Sequence, residues 1–330
     1  MGEQEIKSLR ILSLYERLRK GEMISKKEEA VRFEVNLKTI QRDLDELRLY
    51  LATTYKDSIA LTYNRSKKSY SLNRSDDIGL TKEEILALTK VLLETRAFSD
   101  KEMKVLLDKL IIQSRPDDRT FIKEVIGNER IHYEPPHHDK PLLSMIWDLG
   151  EAVRTKRLIE ISYEKEEGTK SSTRMVQPVG LLFSEYYFYL AAFLVDYDFK
   201  FPTIYRVDRI SNYEIKKEHF KVNYKDRFEE GQFRKRIQFM NPGALLKVTF
   251  RFWGTSLQAV LDRLPTARIV SQDENGAIIE AEVFGNGVKM WLLSQGPYIE
   301  VLKPTEFRNE MKETLEKMLE NHSHKEEIMD

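Results

Sequence analysis

The sequence predicts an α+β protein of several domains, and three observations carry that prediction. Near the start, three helical patterns are followed by two short strand patterns around a basic turn. In the middle, short strand-like segments follow one another closely. In the last third, strands and helices alternate in the order β-α-β-β-α-β. A chain of 330 residues has room for two or three domains, and a 41% apolar fraction supplies ordinary cores.

The first helix is expected over Ile6 to Arg19, with Leu9, Leu12, Tyr15 and Leu18 on one face and Gly21 ending it. Ser25 is the expected N-cap of a second helix, with Glu28 completing a capping box and Ala30, Val31 and Phe33 inward. A short link leads to the stretch around which the N-terminal part is organised, Val35 to Leu47. Asn36 is a good N-cap, because its side-chain oxygen can accept from a backbone N–H of the first turn. Ile40, Leu44, Leu47 and Leu51 recur at helical spacing and make one apolar face. Lys38, Thr39, Gln41 and Arg42 stand near the helix start, on the other side. Cations gain nothing from the positive end of a helix dipole, so an anionic partner explains them better. That is the design of the recognition helix in a helix-turn-helix; the plain alternative is an amphipathic surface helix. Ile59 to Tyr63 and Ser69 to Leu72 then read as two strands around Asn64-Arg65-Ser66-Lys67-Lys68. This is a wing whose tip cations Arg65, Lys67 and Lys68 suit a phosphate backbone, or otherwise a solvated turn.

Thr81 to about Ile126 is expected to be helical, opened by a Thr81–Glu84 capping box and interrupted by Pro116. Tyr133 to Asp139 reads as a linker, since tandem prolines exclude a regular helix. His132, His137, His138 and Asp139 there lack the spacing of a metal site. Leu142 to Lys156 is a helix. Leu158–Tyr163, Thr173–Pro178, Leu181–Phe183, Phe188–Val195, Thr203–Arg209 and Asn212–Lys216 are short strands, suggesting a strongly bent sheet or small barrel. The last third places strands at Leu245–Phe252, Ala267–Gln272, Ala277–Val283 and Ile299–Leu302. Helices fall at Thr255–Leu264 and Asn286–Ser294, which is the ferredoxin-like order, and Pro304–Asn321 is a closing helix.

Charge is divided unevenly behind a formal net charge of zero. Residues 1–75 hold 16 Lys and Arg against 11 Asp and Glu, and the remainder holds 38 against 43. A basic N-terminal unit on an acidic remainder fits a DNA-binding module attached to something else. The chain has no cysteine, which excludes disulfides and thiolate metal sites and is compatible with a reducing compartment. The longest apolar run, Tyr186 to Val195, is too short to span a bilayer, and no apolar targeting segment precedes the first helix. A cytoplasmic location with no membrane partner is therefore expected.

Thr39-Ile40, Arg42-Asp43-Leu44 and Leu47, followed by a wing ending in Tyr70-Ser71-Leu72, resemble the winged helix-turn-helix of bacterial WYL-domain transcriptional regulators. Phe188-Tyr189-Leu190 stands where that family writes Trp-Tyr-Leu, with Phe replacing the Trp. Tyr205-Arg206-Val207-Asp208-Arg209-Ile210 is similar to its Arg-x-Asp-Arg-Ile strand, and Arg174 and the Gln177-Pro178-Val179-Gly180 turn also agree. The resemblance implies four parts: a winged helix-turn-helix at 1–75, a helical connector at 76–139, an Sm- or SH3-like β-barrel (the WYL domain) at 140–220, and a ferredoxin-like C-terminal extension at 221–330. It also implies that the barrel senses a ligand, a nucleotide or nucleic-acid fragment.

No cofactor cradle or catalytic set is legible, so a non-enzyme requiring no cofactor is expected. Gly285-Asn286-Gly287 opens a helix but is weak evidence for a phosphate site, and His219 stands alone. In the barrel, Arg174, Tyr187, Tyr189, Arg206 and Arg209 are the candidate ligand residues; arginines beside aromatic planes suit a base and its phosphate. Alternatively Tyr189 is core, and the arginines pair with Asp208 or Asp196. Alternation places Arg206 and Arg209 on opposite faces unless a bulge or twist intervenes. The expected partners are a double-stranded DNA operator, a single-stranded nucleic acid or nucleotide effector, and a second copy of the chain in a homodimer. The competing function is a nucleic-acid-binding accessory factor without promoter specificity.

Overall fold

The computed structural model describes residues 3–55, 59–74, 80–165, 171–195, 201–222 and 227–323. The chain forms two units, Met1–Pro141 and Leu142–Asp330.

The first unit begins with α1 (Glu3–Arg19), α2 (Lys26–Arg32) and α3 (Leu37–Tyr55), followed by an antiparallel pair, β1 (Ile59–Asn64) and β2 (Ser69–Arg74). The apolar face of α3 is the one its spacing indicates. Ile40, Leu44, Leu47 and Leu51 are all buried, against Leu14 and Leu18 of α1, Ala30 of α2, and Ile59, Leu61 and Tyr70 of the strand pair. The face of α1 is not the expected one. Leu9 and Leu12 are more than half exposed, and Arg10, Leu14 and Leu18 line the inward stripe at intervals of four. Arg10 is there because it pairs with Asp43 of α3; both are buried, and Arg10 Nη2 donates to Asp43 Oδ1 at 3.2 Å. A second pair ties α1 to α2, with Arg17 Nη1 2.7 Å from the buried Glu29. In α2 only Glu29 and Ala30 face inward, because the helix has just seven residues, and Val31 is exposed. Ser25 stands at the N-cap position but its hydroxyl makes no capping bond. Ile24 exchanges both backbone hydrogen bonds with Tyr70, at 2.8 and 2.7 Å, adding a one-residue third strand to β1 and β2.

The connector is three helices, α4 (Lys82–Thr95), α5 (Asp100–Ile111) and α6 (Pro116–Ile131). The Thr81–Glu84 capping box forms. Two details differ from the sequence reading. The chain breaks after Thr95, where Arg96 adopts left-handed backbone (φ 47°) and Ser99 caps the next helix. Pro116 starts α6 rather than interrupting a helix, because a first-turn position needs no N–H.

The second unit opens with α7 (Leu143–Thr155) and a five-stranded antiparallel sheet. Its strands are β3 (Arg157–Tyr163), β4 (Ser172–Ser184), β5 (Tyr187–Leu194), β6 (Thr203–Arg206) and β7 (Ile210–His219), in the order β6-β5-β4-β3-β7. The two edge strands, β6 and β7, are consecutive in the chain and joined by one 3₁₀ turn, Val207–Arg209. Three residues cannot span a flat sheet of five strands, so the sheet curls to bring the end of β6 near the start of β7. Leu149 and Ala152 of α7 close its inner core over Ile159, Ile161, Val176, Leu190 and Tyr205. The segment Gln177–Gly180, read as a turn, lies inside β4. The register with β5 shifts between Pro178 and Gly180, a bulge that accommodates the proline within a strand. A Cβ at Gly180 would lie 2.8 Å from Glu230 Oε1, which accepts from Leu181 N at 2.9 Å.

Glu230 belongs to α8 (Glu230–Arg236), a helix the pattern did not show. Beyond it come β8 (Leu245–Phe252), α9 (Leu257–Arg263), β9 (Arg268–Asp273), β10 (Gly276–Phe284), α10 (Gly285–Ser294), β11 (Ile299–Lys303) and α11 (Thr305–Ser323). The four strands form an antiparallel sheet in the order β11-β8-β10-β9. Val248, Phe250, Ile279, Val288, Leu292 and Phe307 are among the residues of its core.

Candidate functional sites

The first candidate site is the start of α3 with the β1–β2 turn. Asn36 caps α3 as its sequence indicates. Its Oδ1 accepts from Thr39 N at 2.8 Å and from the Thr39 hydroxyl at 3.1 Å, so both polar side chains are turned onto the helix end. Gln41 is half-buried and held from three sides. Its Oε1 accepts from Lys26 Nζ (2.8 Å) and the Tyr70 hydroxyl (3.3 Å), and its Nε2 donates to Asp45 (3.0 Å). Gln41 is therefore a clamp between α2, α3 and the strand pair, which corrects its expected place on the open face. Lys38 and Arg42 are exposed, and no hydrogen bond or ion pair engages their side chains among the described residues. Asp43, next to Arg42, points the other way into the buried pair with Arg10.

Arg65, Lys67 and Lys68 all lie exposed in the turn between β1 and β2. Asn64 Oδ1 shapes that turn by accepting from Lys67 N (3.1 Å) and the Ser66 hydroxyl (2.7 Å). Lys68 takes left-handed backbone (φ 48°) to close it. Five cations, on α3 and on the turn, thus reach solvent from one unit.

The second candidate site is at the β5–β6 edge of the curled sheet. Tyr189 and Arg206 are register partners. The Arg206 guanidinium lies over the Tyr187 ring, 3.4 Å from its centroid. It donates through Nε and Nη2 to both oxygens of the buried Asp208, at 3.1 and 2.7 Å. Burial pulls the Arg206 pKa down, but the hydrogen-bonded Asp208 carboxylate outweighs it and holds the value above its ordinary level. The guanidinium is thus fixed in a plane between an aromatic ring and a carboxylate. Arg174 of β4 stands apart from this pair, 6.0 Å over the ring of Tyr205, which belongs to the inner core while Ile204 and Tyr187 pack on the opposite face of the sheet. Tyr205 is buried, and among the described residues its hydroxyl has no hydrogen-bond partner.

Two further expected members do not join this pair. Tyr189 is buried with Leu182, Ala191, Phe233, Ile237, Met240 and Phe284, and burial pushes its pKa up to about 12. It is core, not a stacking platform; alternation turns its ring to the sheet face that α8 covers. Arg209 sits in the 3₁₀ turn and donates through Nη1 to the Lys165 carbonyl at the end of β3. The turn resets the alternation, so the two arginines serve different partners. Asp196, considered as a partner, lies outside the described residues.

The glycine turn at the start of α10 does not expose its N–H groups to a ligand. Gly285, Asn286 and Gly287 donate to the carbonyls of Ala244, Pro242 and Asn241 at 2.8, 3.2 and 2.9 Å. A Cβ at Gly287 would come within 2.1 Å of the Gln238 carbonyl, so close packing explains that glycine. Among the described residues no three His, Asp or Glu side chains are grouped to hold a metal ion, and no helix is long and apolar enough to cross a membrane.

Residues 145–215 match the WYL domain, and residues 244–319 match the WCX domain. The chain thus carries both. No curated protein matches it. Among solved structures, it is similar to the proteasome accessory factor B/C (PafBC) of Arthrobacter aurescens at 16% identity and a TM-score of 0.28, over 96% of this chain and 48% of that one. It is also similar to a CRISPR Cas-related protein at 17% identity and a TM-score of 0.37, over 66% of this chain and 64% of that one. The chain therefore spans about half the length of the first structure and less than two thirds of the second.

Proposed function

We propose that this chain is a DNA-binding transcriptional regulator whose WYL domain senses a phosphate-bearing ligand, a nucleotide or short single strand, and that ligand binding modulates operator affinity. The observation that carries the reading is the state of Lys38 and Arg42. They project from the first turns of a helix whose opposite face is buried, and among the described residues no acidic group neutralises them. A duplex phosphate backbone and the guanine edge supply the missing anion and acceptor.

In this reading residues 1–75 are a winged helix-turn-helix, with α3 in the major groove and the β1–β2 turn on the backbone. Residues 76–139 connect it to the rest. Residues 140–220 are an Sm- or SH3-like barrel and 221–330 a ferredoxin-like extension; the strand order β11-β8-β10-β9 suits the latter name. The ligand residues narrow to Tyr187 and Arg206, where a planar cation lies over a half-buried ring, with Arg174 as a separate cation over Tyr205. The protein works without catalysis, in the cytoplasm, as a homodimer that joins two half-sites. For the sensor to regulate, its ligand must favour one arrangement of the reader over another.

The test is retention of duplexes selected from genomic DNA against a large excess of competitor. Binding of all duplexes alike by the wild type would support the accessory-factor reading instead. Equal operator affinity in wild type and a folded Arg42→Ala variant would remove Arg42 from the interface.

A further inference from the structure

An open cleft of about 500 Å³ lies in the second unit, where the β4–β5 turn meets the C-terminal sheet. Its floor is aromatic. Phe252, at the end of β8, and Trp291 of α10 belong to the core of that sheet, Phe239 packs against the same core, and all three line the cleft. Among the described residues two charged side chains line it, and they are of opposite sign. Arg263 is the last residue of α9, and Glu185 stands in the turn between β4 and β5, in left-handed backbone (φ 56°).

The two charges meet through a single contact. Arg263 Nη2 donates to Glu185 Oε1 at 3.3 Å, and the guanidinium lies over the Phe239 ring, 4.8 Å from its centroid. Among the described residues this is the only hydrogen bond of the Arg263 side chain, so Nη1 is unengaged, and so is the second oxygen of Glu185. Arg263 Nε is buried without a partner, so a ligand in the cleft meets the Nη end. Such a pair selects by sign. A lone carboxylate on Arg263 stands beside the Glu185 carboxylate, and a lone amine on Glu185 stands beside the guanidinium; like charges at that range oppose binding. A zwitterion alternates the signs. Its carboxylate accepts a charge-assisted bond from Arg263 Nη1, and its ammonium donates to the unengaged oxygen of Glu185. The aromatic floor then takes an apolar side chain out of water. The volume falls within the roughly 300–1,000 Å³ of small-molecule sites.

We propose that this cleft binds a free α-amino acid with a large apolar side chain. The site shares no residue with the Tyr187–Arg206 pair, and it goes beyond the operator and nucleotide reading without resting on it. Its occupant ties the β4–β5 turn to the C-terminal sheet, since the cleft draws its wall from both.

The experiment is calorimetric titration of the full chain, without DNA, with L-phenylalanine, L-tryptophan, L-leucine and L-methionine in turn, up to millimolar concentration. Saturable uptake of at least one of them by the wild type, weakened at least tenfold in Glu185→Gln and in Arg263→Gln, is the expected result. The wild type should also bind the same molecule at least tenfold more weakly once either charge is removed, as phenylpropionate and phenethylamine do for phenylalanine. That comparison uses no variant, so it holds even where a substitution disturbs folding. Wild type that takes up none of the amino acids overturns the proposal. Isotherms that superimpose in wild type and variants, or equal uptake of either singly charged analogue, overturn it as well. Because the titration contains no DNA and no nucleotide, its failure is distinct from a failure of the operator reading.

Discussion

The cations of α3 and those of the curled sheet are held in opposite ways. Lys38 and Arg42 stand in solvent with their charge unopposed among the described residues, whereas Arg206 is fitted between the Tyr187 ring and both oxygens of Asp208. An unopposed cation contributes little to folding and is available to a polyanion. A cation that is stacked and doubly bonded stabilises its own domain first, and presents only its remaining edge to a ligand. The difference teaches that residue type alone does not mark a binding arginine; the partner its charge already has is the discriminating fact.

Four tests break or sharpen that contrast. The largest effects fall on groups whose partners are buried. Asp43→Ala leaves the Arg10 guanidinium buried and unpaired, and is expected to cost about 3–5 kcal/mol. Replacing both members together, with Arg10→Met and Asp43→Leu, should recover most of it, read as the denaturation midpoint of the full chain. Tyr189→Ala should cost a similar 3–5 kcal/mol through the cavity it opens, while Tyr189→Phe stays within about 0.5 kcal/mol. Loss of nucleotide or oligonucleotide binding by a stable Tyr189→Phe protein would instead restore Tyr189 to the ligand site. In the middle of the range, Arg42→Ala is expected to leave the melting temperature unchanged and lower operator affinity by about 1–3 kcal/mol, measured by fluorescence anisotropy. The smallest effect belongs to Lys68→Ala. It should weaken all duplexes alike and reduce the slope of log K against log salt by about 1, with no change in sequence preference.

Much of the secondary structure was legible because its signals are local. Asn36 as a cap, the 40/44/47/51 stripe, the Thr81–Glu84 box and the two short strands around residues 65–68 each involve residues within about one or two turns of one another. What was not legible depends on partners distant in sequence. Nothing near Asp43 announces that it is buried, because its partner Arg10 is 33 residues away. The same pair misplaced the face of α1, since a buried arginine reads as a solvent residue and shifts the apparent stripe onto Leu9 and Leu12. The polarity of Gln41 points to the open face, although Lys26 and Tyr70 bind it. In the sheet, Tyr187 and Tyr189 share one strand face by alternation, yet the more buried of the two is decided by α8, whose pattern was too short to see. Arg206 and Arg209 were grouped by nearness in sequence; the 3₁₀ turn between β6 and β7 separates their partners.

The buried Arg10–Asp43 pair has a practical consequence. Mobile ions screen exposed charges within about 10 Å at 0.1 M salt, but act far less on a pair enclosed by protein. The packing of α1 against α3 is therefore indifferent to ionic strength over the range used in binding assays. If the chain binds DNA as proposed, a fall in affinity as salt is added counts ions displaced from the duplex, free of any loosening of α3, so titrating salt becomes a way to count phosphate contacts one variant at a time.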